Sequence, residues 1–250
     1  MRYHYSMKDL RAIIIVCVSL LLIAGMASLT FLNRGKTDDT VSITGMGKLD
    51  FESDHIVWNV QFTEEDKVLA RAYEATETAK AKVLDFFAKA GIKPDEVILQ
   101  PIEITKSYRD IRNAKGEVVD QEFDAYLLTQ GFTVDSHEVD KVTTLTGTIS
   151  DLIRQGIEIV STPPAYFYTK LADLKLKLIA LAAQDAKARA TEMVANSNVA
   201  LGRLRSSSLG VFQIIGVNDS TDNSSWEGNF DTRSRFKTAT VTVHAYYEIR

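Results

Sequence analysis

Apolar positions recur along the chain in three rhythms, and each predicts a different kind of element. The first has no period. Ala12 to Leu32 (AIIIVCVSLLLIAGMASLTFL) runs 21 residues without a charge, about the length that crosses a ~30 Å hydrocarbon core as a helix. The second repeats at spacings of three and four, one face of an α-helix. It sets Leu69, Ala72, Thr76, Ala79, Val83, Phe86 and Ala90 on one stripe, and Val139, Val142, Thr146, Ile149 and Ile153 on another. The first of these helices is predicted to begin at Thr63-Glu64-Glu65-Asp66, with Thr63 as N-cap and acids in the first turn, and to end at Gly91 and Pro94. Ser136 caps the second and Gly156 stops it. A third helix covers most of Leu171 to Gly202, with Leu171, Leu174, Leu178, Leu181 and Ala182 on one side. Ala180, Ala182, Ala183, Ala186, Ala188 and Ala190 give it high helix propensity, and at 1.5 Å per residue it would be roughly 40 Å long.

The third rhythm alternates with period two and predicts strands. Val41 to Asp66 reads as two strands around a turn, with Ile56, Trp58 and Val60 on one face of the second. Val97–Asp110 and Asp124–Val134 pair across a polar link, Ile111 to Phe123, that holds the turn signal Asn113-Ala114-Lys115-Gly116. Ile157, Ile159 and Val160 resume strand character until Pro163-Pro164, after which Ala165-Tyr166-Phe167-Tyr168 leads into the long helix. Leu204–Val217 and Thr238–Ile249 are the last strands, flanking a polar loop, Asn218 to Asp231, that carries Trp226 and Phe230. The order ββαββαβαββ predicts an α+β fold behind an N-terminal transmembrane helix: mainly antiparallel sheet with helices packed on one side.

Charge refines the reading of the N-terminus. Arg2, Lys8 and Arg11 precede the apolar run, which favours the N-terminus inside the cell and everything after the run outside it. Residues 1–36 thus read as an uncleaved membrane anchor, with a polar linker from Asn33 to Thr40 and an extracytoplasmic domain over 37–250. The competing reading is a cleaved signal peptide, with Gly25 and Ala27 at the small positions before the cut. Leu29, Phe31 and Leu32, which continue the apolar run past that point, weigh against it. Either way the bulk of the chain leaves the cytoplasm.

The formal charge is −4 overall. Removing the five basic and one acidic side chain of residues 1–36 leaves 24 basic against 32 acidic, or −8, for the remainder. A domain so acidic is a poor match for nucleic acid, whose phosphates reward clustered Lys and Arg. The one cysteine, Cys17, lies inside the apolar run, so no intramolecular disulfide forms and no Cys/His zinc constellation exists.

Three stretches together resemble the SIMPL-domain family, whose bacterial members include exported and surface-antigen proteins. They are ITGMGKLDFESDHIVWNVQF (43–62), LAAQDAKARATEMVANSNVALGRL (181–204) and TATVTVHAYYEI (238–249). Gly45 and Gly47 match the family's G-x-G strand. Asp185, Ala186 and Ala190 match its D-A-x-x-x-A helix core, and Leu201-Gly202 its following Leu-Gly; Ser53-Asp54 replaces its Pro-Asp. The resemblance implies a single α+β domain, export across the inner membrane and, as in some members, assembly into large rings or channel-like oligomers. Members are linked to stress tolerance and antigenicity. No enzymatic reaction is established for the family, so it supplies no catalytic residues.

The residues themselves supply little chemistry. Gly45-Met46-Gly47 lacks the third glycine and helix start of a phosphate loop, since Asp50 stands at that spacing, and reads instead as a place where backbones pass closely. Ser206-Ser207-Ser208 lacks the G-x-S-x-G elbow. His4, His55, His137 and His244 show no i,i+4 metal spacing, and residues 218–231 lack the order of a calcium loop. The sequons at Asn218 and Asn223 would be idle in a bacterial protein. No metal site, cofactor or catalytic residue is therefore expected. The aromatic run Tyr166, Phe167, Tyr168 reads either as core packing or as an exposed ridge for subunit contact, with Trp226 as a further contact residue.

The expectation is a non-enzymatic, single-pass inner-membrane protein. It is held by residues 12–32 with its bulk periplasmic, and it acts through protein contacts as a homo-oligomer with no nucleic-acid partner. The alternative is a soluble periplasmic binding or stress-protective protein released by signal cleavage. An enzyme, the third reading, needs an apolar pocket with perturbed acids around Asp54, Asp185 or Glu192.

Overall fold

The computed structural model describes residues 18–26, 28, 40–217 and 229–250. Residues 18–26 and 28 are helical and exposed, and no described helix is long and apolar enough to cross a membrane. The rest of the expected 12–32 span, and Trp226, lie outside the described residues.

The protein is α+β, built on antiparallel sheet. In chain order the strands are β1 (Thr40–Glu52), β2 (His55–Asp66), β3 (Val97–Leu99), β4 (Glu103–Arg112), β5 (Val118–Ser136), β6 (Ile159–Ser161), β7 (Ala165–Phe167), β8 (Leu201–Leu209), β9 (Gln213–Gly216) and β10 (Phe236–Ile249). The helices are α1 (Leu69–Lys89), α2 (Val139–Thr148) and α3 (Leu171–Ala195), with 3-10 turns at Pro94–Glu96 and Ile149–Gln155. The order is ββαβββαββαβββ, three strands more than expected. Two of the extra strands come from a break in a run expected to be continuous, and the third, β7, is the stretch expected only to lead into the long helix. Pro101 cannot donate to a ladder and parts β3 from β4, Pro163-Pro164 parts β6 from β7, and Gly210 to Phe212 separates β8 from β9.

The described residues gather into two compact units. The larger comprises 46–182 and 210–242. Its six-stranded sheet runs β3-β5-β2-β6, with β4 also on β5 and β7 also on β2, every pairing antiparallel. Ile56, Trp58, Val60 and Phe62 alternate into the core from β2, as period two requires. They meet Phe132 and Val134 from β5, Ala79, Val83 and Phe87 from α1, and Val142 and Leu145 from α2. In the same unit the start of β10 pairs with β9, and Gly47 of β1 faces α3. In the smaller unit β8 pairs antiparallel with Val243–Ile249 of β10, and Ala186, Ala190, Val194, Ala245 and Tyr247 are buried. There Arg203 and Arg205 hold Glu248 at 2.8 and 2.9 Å, and Arg189 Nε reaches Asp185 Oδ2 at 2.8 Å.

Two helix expectations are corrected. Thr63 is not an N-cap: β2 runs on to Asp66, which pairs with Tyr126, and the Thr63 and Thr129 hydroxyls meet across the ladder at 2.8 Å. The helix begins at Leu69, where Asp66 Oδ1 accepts the Val68 N–H instead. In the second helix Ile153 is 59% exposed while Leu152 is buried. After Ile149 the chain tightens from α to 3-10, so the buried position recurs after three residues rather than four.

Candidate functional site

Three segments of the larger unit converge on an aromatic cleft of about 200 Å³. The end of β1 brings Phe51, the stretch from β7 into α3 brings Tyr166, Phe167, Tyr168 and Leu171, and β9 with the segment leading into the start of β10 brings Ile214, Phe230, Asp231 and Lys237. Two residues between β1 and β2 hold these segments together. The Ser53 N–H donates to the Arg235 carbonyl at 3.0 Å, and the Asp54 N–H to the Phe167 carbonyl at 3.0 Å. The Asp54 carboxylate then accepts the Thr169 N–H at 2.7 Å and the Thr169 hydroxyl at 2.8 Å, just ahead of α3. The Ser53-Asp54 that stands in for the family's Pro-Asp is thus the clasp of the cleft.

The predicted aromatic run divides its work. Tyr166 is buried in the core, its N–H bound to the Thr232 carbonyl at 2.7 Å, and so is not part of an exposed ridge. Phe167 is 38% exposed and lies against His55. Tyr168 packs on Phe51 with ring centroids 4.8 Å apart.

The polar groups at the cleft are committed to holding it closed. Lys237, only 2% exposed, donates from Nζ to the carbonyls of Asp231, at 2.7 Å, and Ser234, with the Asp231 carboxylate 3.9 Å away. Burial pushes its pKa down from 10.5, and the Asp231 charge opposes this. For Asp231, burial works to raise the pKa. The Ser234 side chain, the backbone N–H groups of Arg233 and Ser234 and the Lys237 charge outweigh it, and the pKa lies below 3.8. A carboxyl depressed in the fold contributes stability above its ordinary value and loses it as pH falls through the lowered one. Asp231→Asn is therefore expected to lower the urea midpoint at pH 7, with the gap closing as pH drops below 3.8. Midpoints measured across a pH series check this; a gap independent of pH would show that the charge is not what holds the turn.

Sequence spacing missed one association. His55 and His137 lie with ring centroids 5.0 Å apart. His55 Nε2 pairs with Asp135 Oδ1 at 2.5 Å, and His137 Nδ1 is 2.9 Å from the Asp54 carbonyl. The two come from the start of β2 and the residue just after β5, strands joined only in the folded sheet, so no local motif marks them. Among the described residues no group of three or more His, Cys, Asp or Glu is arranged to hold a metal. Elsewhere in this unit, a surface groove of about 440 Å³ lies between the end of α1 and β3, lined by Leu84, Phe87, Ile92, Pro94, Val97 and Leu99. Its one acid, Asp85, is paired with Lys89 at 2.5 Å.

A family model, SIMPL, described as a protein of unknown function (DUF541), matches residues 41–245, a span that takes in both strand glycines, the cleft and α3. No curated protein matches the chain.

Proposed function

The chain belongs to the SIMPL family, and from that premise we propose that it is a non-enzymatic, membrane-anchored extracytoplasmic protein that acts through protein contacts and self-assembles in the cell envelope. The observation that carries this reading is the commitment of the cleft's polar groups. Lys237 and Asp231 spend hydrogen bonds on neighbouring backbone and Asp54 on the backbone and hydroxyl of Thr169, while the cleft is lined mainly by aromatic and aliphatic side chains. A catalytic site instead presents acids, bases or nucleophiles with capacity to spare for a substrate. The cleft, at about 200 Å³, falls below the ~300–1,000 Å³ usual for small-molecule sites and suits an inserted side chain; the groove beside α1, at about 440 Å³, has that size, but its one acid is paired with Lys89. The anchor rests on the uncharged run 12–32 and the positive charge before it. In this reading it is an inner-membrane helix, with the N-terminus cytoplasmic and the remainder periplasmic.

The mass of the full-length, detergent-extracted protein by native mass spectrometry or light scattering tests both parts. A discrete oligomer still beginning at Met1 is the expected result. A monomer shortened by about 27 residues would replace it with the soluble, signal-cleaved alternative.

A further inference from the structure

The outer parts of β4 and β5 form a two-stranded ribbon to which, among the described residues, no third strand is paired. β2 covers the far side of β5 only from Tyr126 to Ser136, and β4 pairs with β5 alone, so the whole outer edge of β4 is open. Ile104 is 55% and Tyr108 53% exposed, and Ile111, Val118, Val119 and Phe123 are exposed with them. The ribbon is nonetheless well built. Asn113 Oδ1 accepts the N–H groups of Lys115 and Glu117 at the turn, and Gly116 supplies the required positive φ of 82°. Two strands with apolar side chains in water are marginal on their own and call for a further strand.

We propose that this strand is β4 of a second copy of the chain, paired antiparallel about a two-fold axis at Tyr108; the inference rests on the self-assembly reading above and names its contact. Even-numbered residues of β4 share one face, where Tyr108 meets Phe123 and Phe123 meets Tyr126, with centroids 6.1 and 5.0 Å apart, and Lys106 Nζ lies 5.9 Å from the Tyr126 centroid. Centring the pair at Tyr108 places Lys106 opposite Asp110 twice and joins the two aromatic rows side by side. The neighbouring registers are worse. Centring at Lys106 or Arg109 sets that cation against itself, and the Arg109 register adds Lys106 against Arg112. Centring at Ser107 sets Asp110 against Ile104, much as the Tyr108 register sets Arg112 against Ile104, but it pairs no charge with its opposite. Like charges directly opposite destabilise a strand pair and unlike charges support it. Charges on an edge strand ordinarily repel stray strands. The spacing of Lys106 and Asp110 makes this edge repellent to most strands and complementary to its own copy, as an isologous interface requires.

The test uses the full-length, detergent-extracted protein with Lys106→Asp and Asp110→Lys made singly and together. Each single change sets like charges opposite one another twice, and the double change restores unlike pairs. Singles are expected to raise the dissociation midpoint of the β4 contact by about tenfold or more, and the double variant to return it close to the parent. Independently, Tyr108→Cys in a Cys17→Ser background should give a covalent dimer under mild oxidation, since directly opposed residues lie ~4.5–5.5 Å apart between Cα atoms. Lys106→Cys alone, offset from its own copy, should not. If the parent is oligomeric but neither charge change alters its assembly and Tyr108→Cys gives no dimer, this contact is wrong while self-assembly stands. If the singles dissociate, the double does not recover and no dimer forms, the β4 edge meets a surface of the second copy other than its β4, and the two-fold pairing at Tyr108 is wrong. A monomeric parent overturns both readings.

Discussion

Gly47→Ala is expected to destabilise the protein by about 3 kcal/mol, and Gly47→Val by more. A Cβ built at Gly47 would lie 2.2 Å from the Leu178 carbonyl oxygen and 3.1 Å from the Ala182 nitrogen. These two atoms are the acceptor and donor of one i→i+4 bond of α3, so the methyl would meet helix backbone, which cannot rotate aside as a side chain could. Either α3 lifts off β1, opening the packing of the buried Leu178 and Ala182, or its hydrogen-bond ladder breaks locally. Gly147→Ala in α2 is the contrasting change. Nothing lies within 4 Å of its Cβ, and replacing a helical glycine there is expected to raise stability by roughly 0.5–1 kcal/mol. Urea midpoints of the two variants, read by circular dichroism, should move in opposite directions. A Gly47→Ala protein as stable as the parent would mean that α3 is not seated on β1 at this point.

Gly47 marks where the sequence was most legible. Two glycines in a strand pattern implied a close backbone approach without naming the approaching element, which is α3. The α-helical and period-two stripes likewise located every long element, because burial on one face imposes the period directly. Legibility failed wherever burial did not dictate pattern. The outer end of the β4–β5 ribbon, residues 111–112 and 118–123, falls in the expected polar link because both its faces are exposed and show no alternation. The start of α1 was misplaced because Thr63-Glu64-Glu65-Asp66 is a good capping sequence whose backbone is already engaged by β5; tertiary pairing overrode local preference. In the site, Tyr166 to Tyr168 were found from their aromatic run, but only the fold separates the buried Tyr166 from the exposed Phe167. Asp54 is marked in the sequence only as an acid beside Ser53, because its partner Thr169 lies 115 residues away and meets it only in the fold. Asp231 and Lys237 bond within six residues of themselves, but nothing in the sequence marks that turn as buried.

Trp58→Ala is expected to cost about 3–5 kcal/mol, the range for deleting a large aromatic from a packed core. Trp58 is fully buried and meets the Phe87 ring edge-on, with centroids 6.1 Å apart. Its single N–H is shared between the Ser161 Oγ at 2.9 Å and the Thr162 carbonyl at 3.1 Å. The indole therefore joins β2 to β6 by side chain as well as by the ladder that pairs Val60 with Ser161 and Phe62 with Ile159. Trp58→Phe separates the two contributions. It keeps most of the apolar contact and loses the indole N–H bonds to the exposed Ser161 and Thr162, at about 0.5–1.5 kcal/mol for a hydrogen bond whose acceptors water can reach. Because β6 is only three residues long, that loss should concentrate there. Amide exchange at Ile159 and Val160 is expected to accelerate in Trp58→Phe more than at Phe132 or Val134 in β5. Uniform acceleration across both strands would show that the ladder alone secures β6 and that the indole N–H contributes only to global stability.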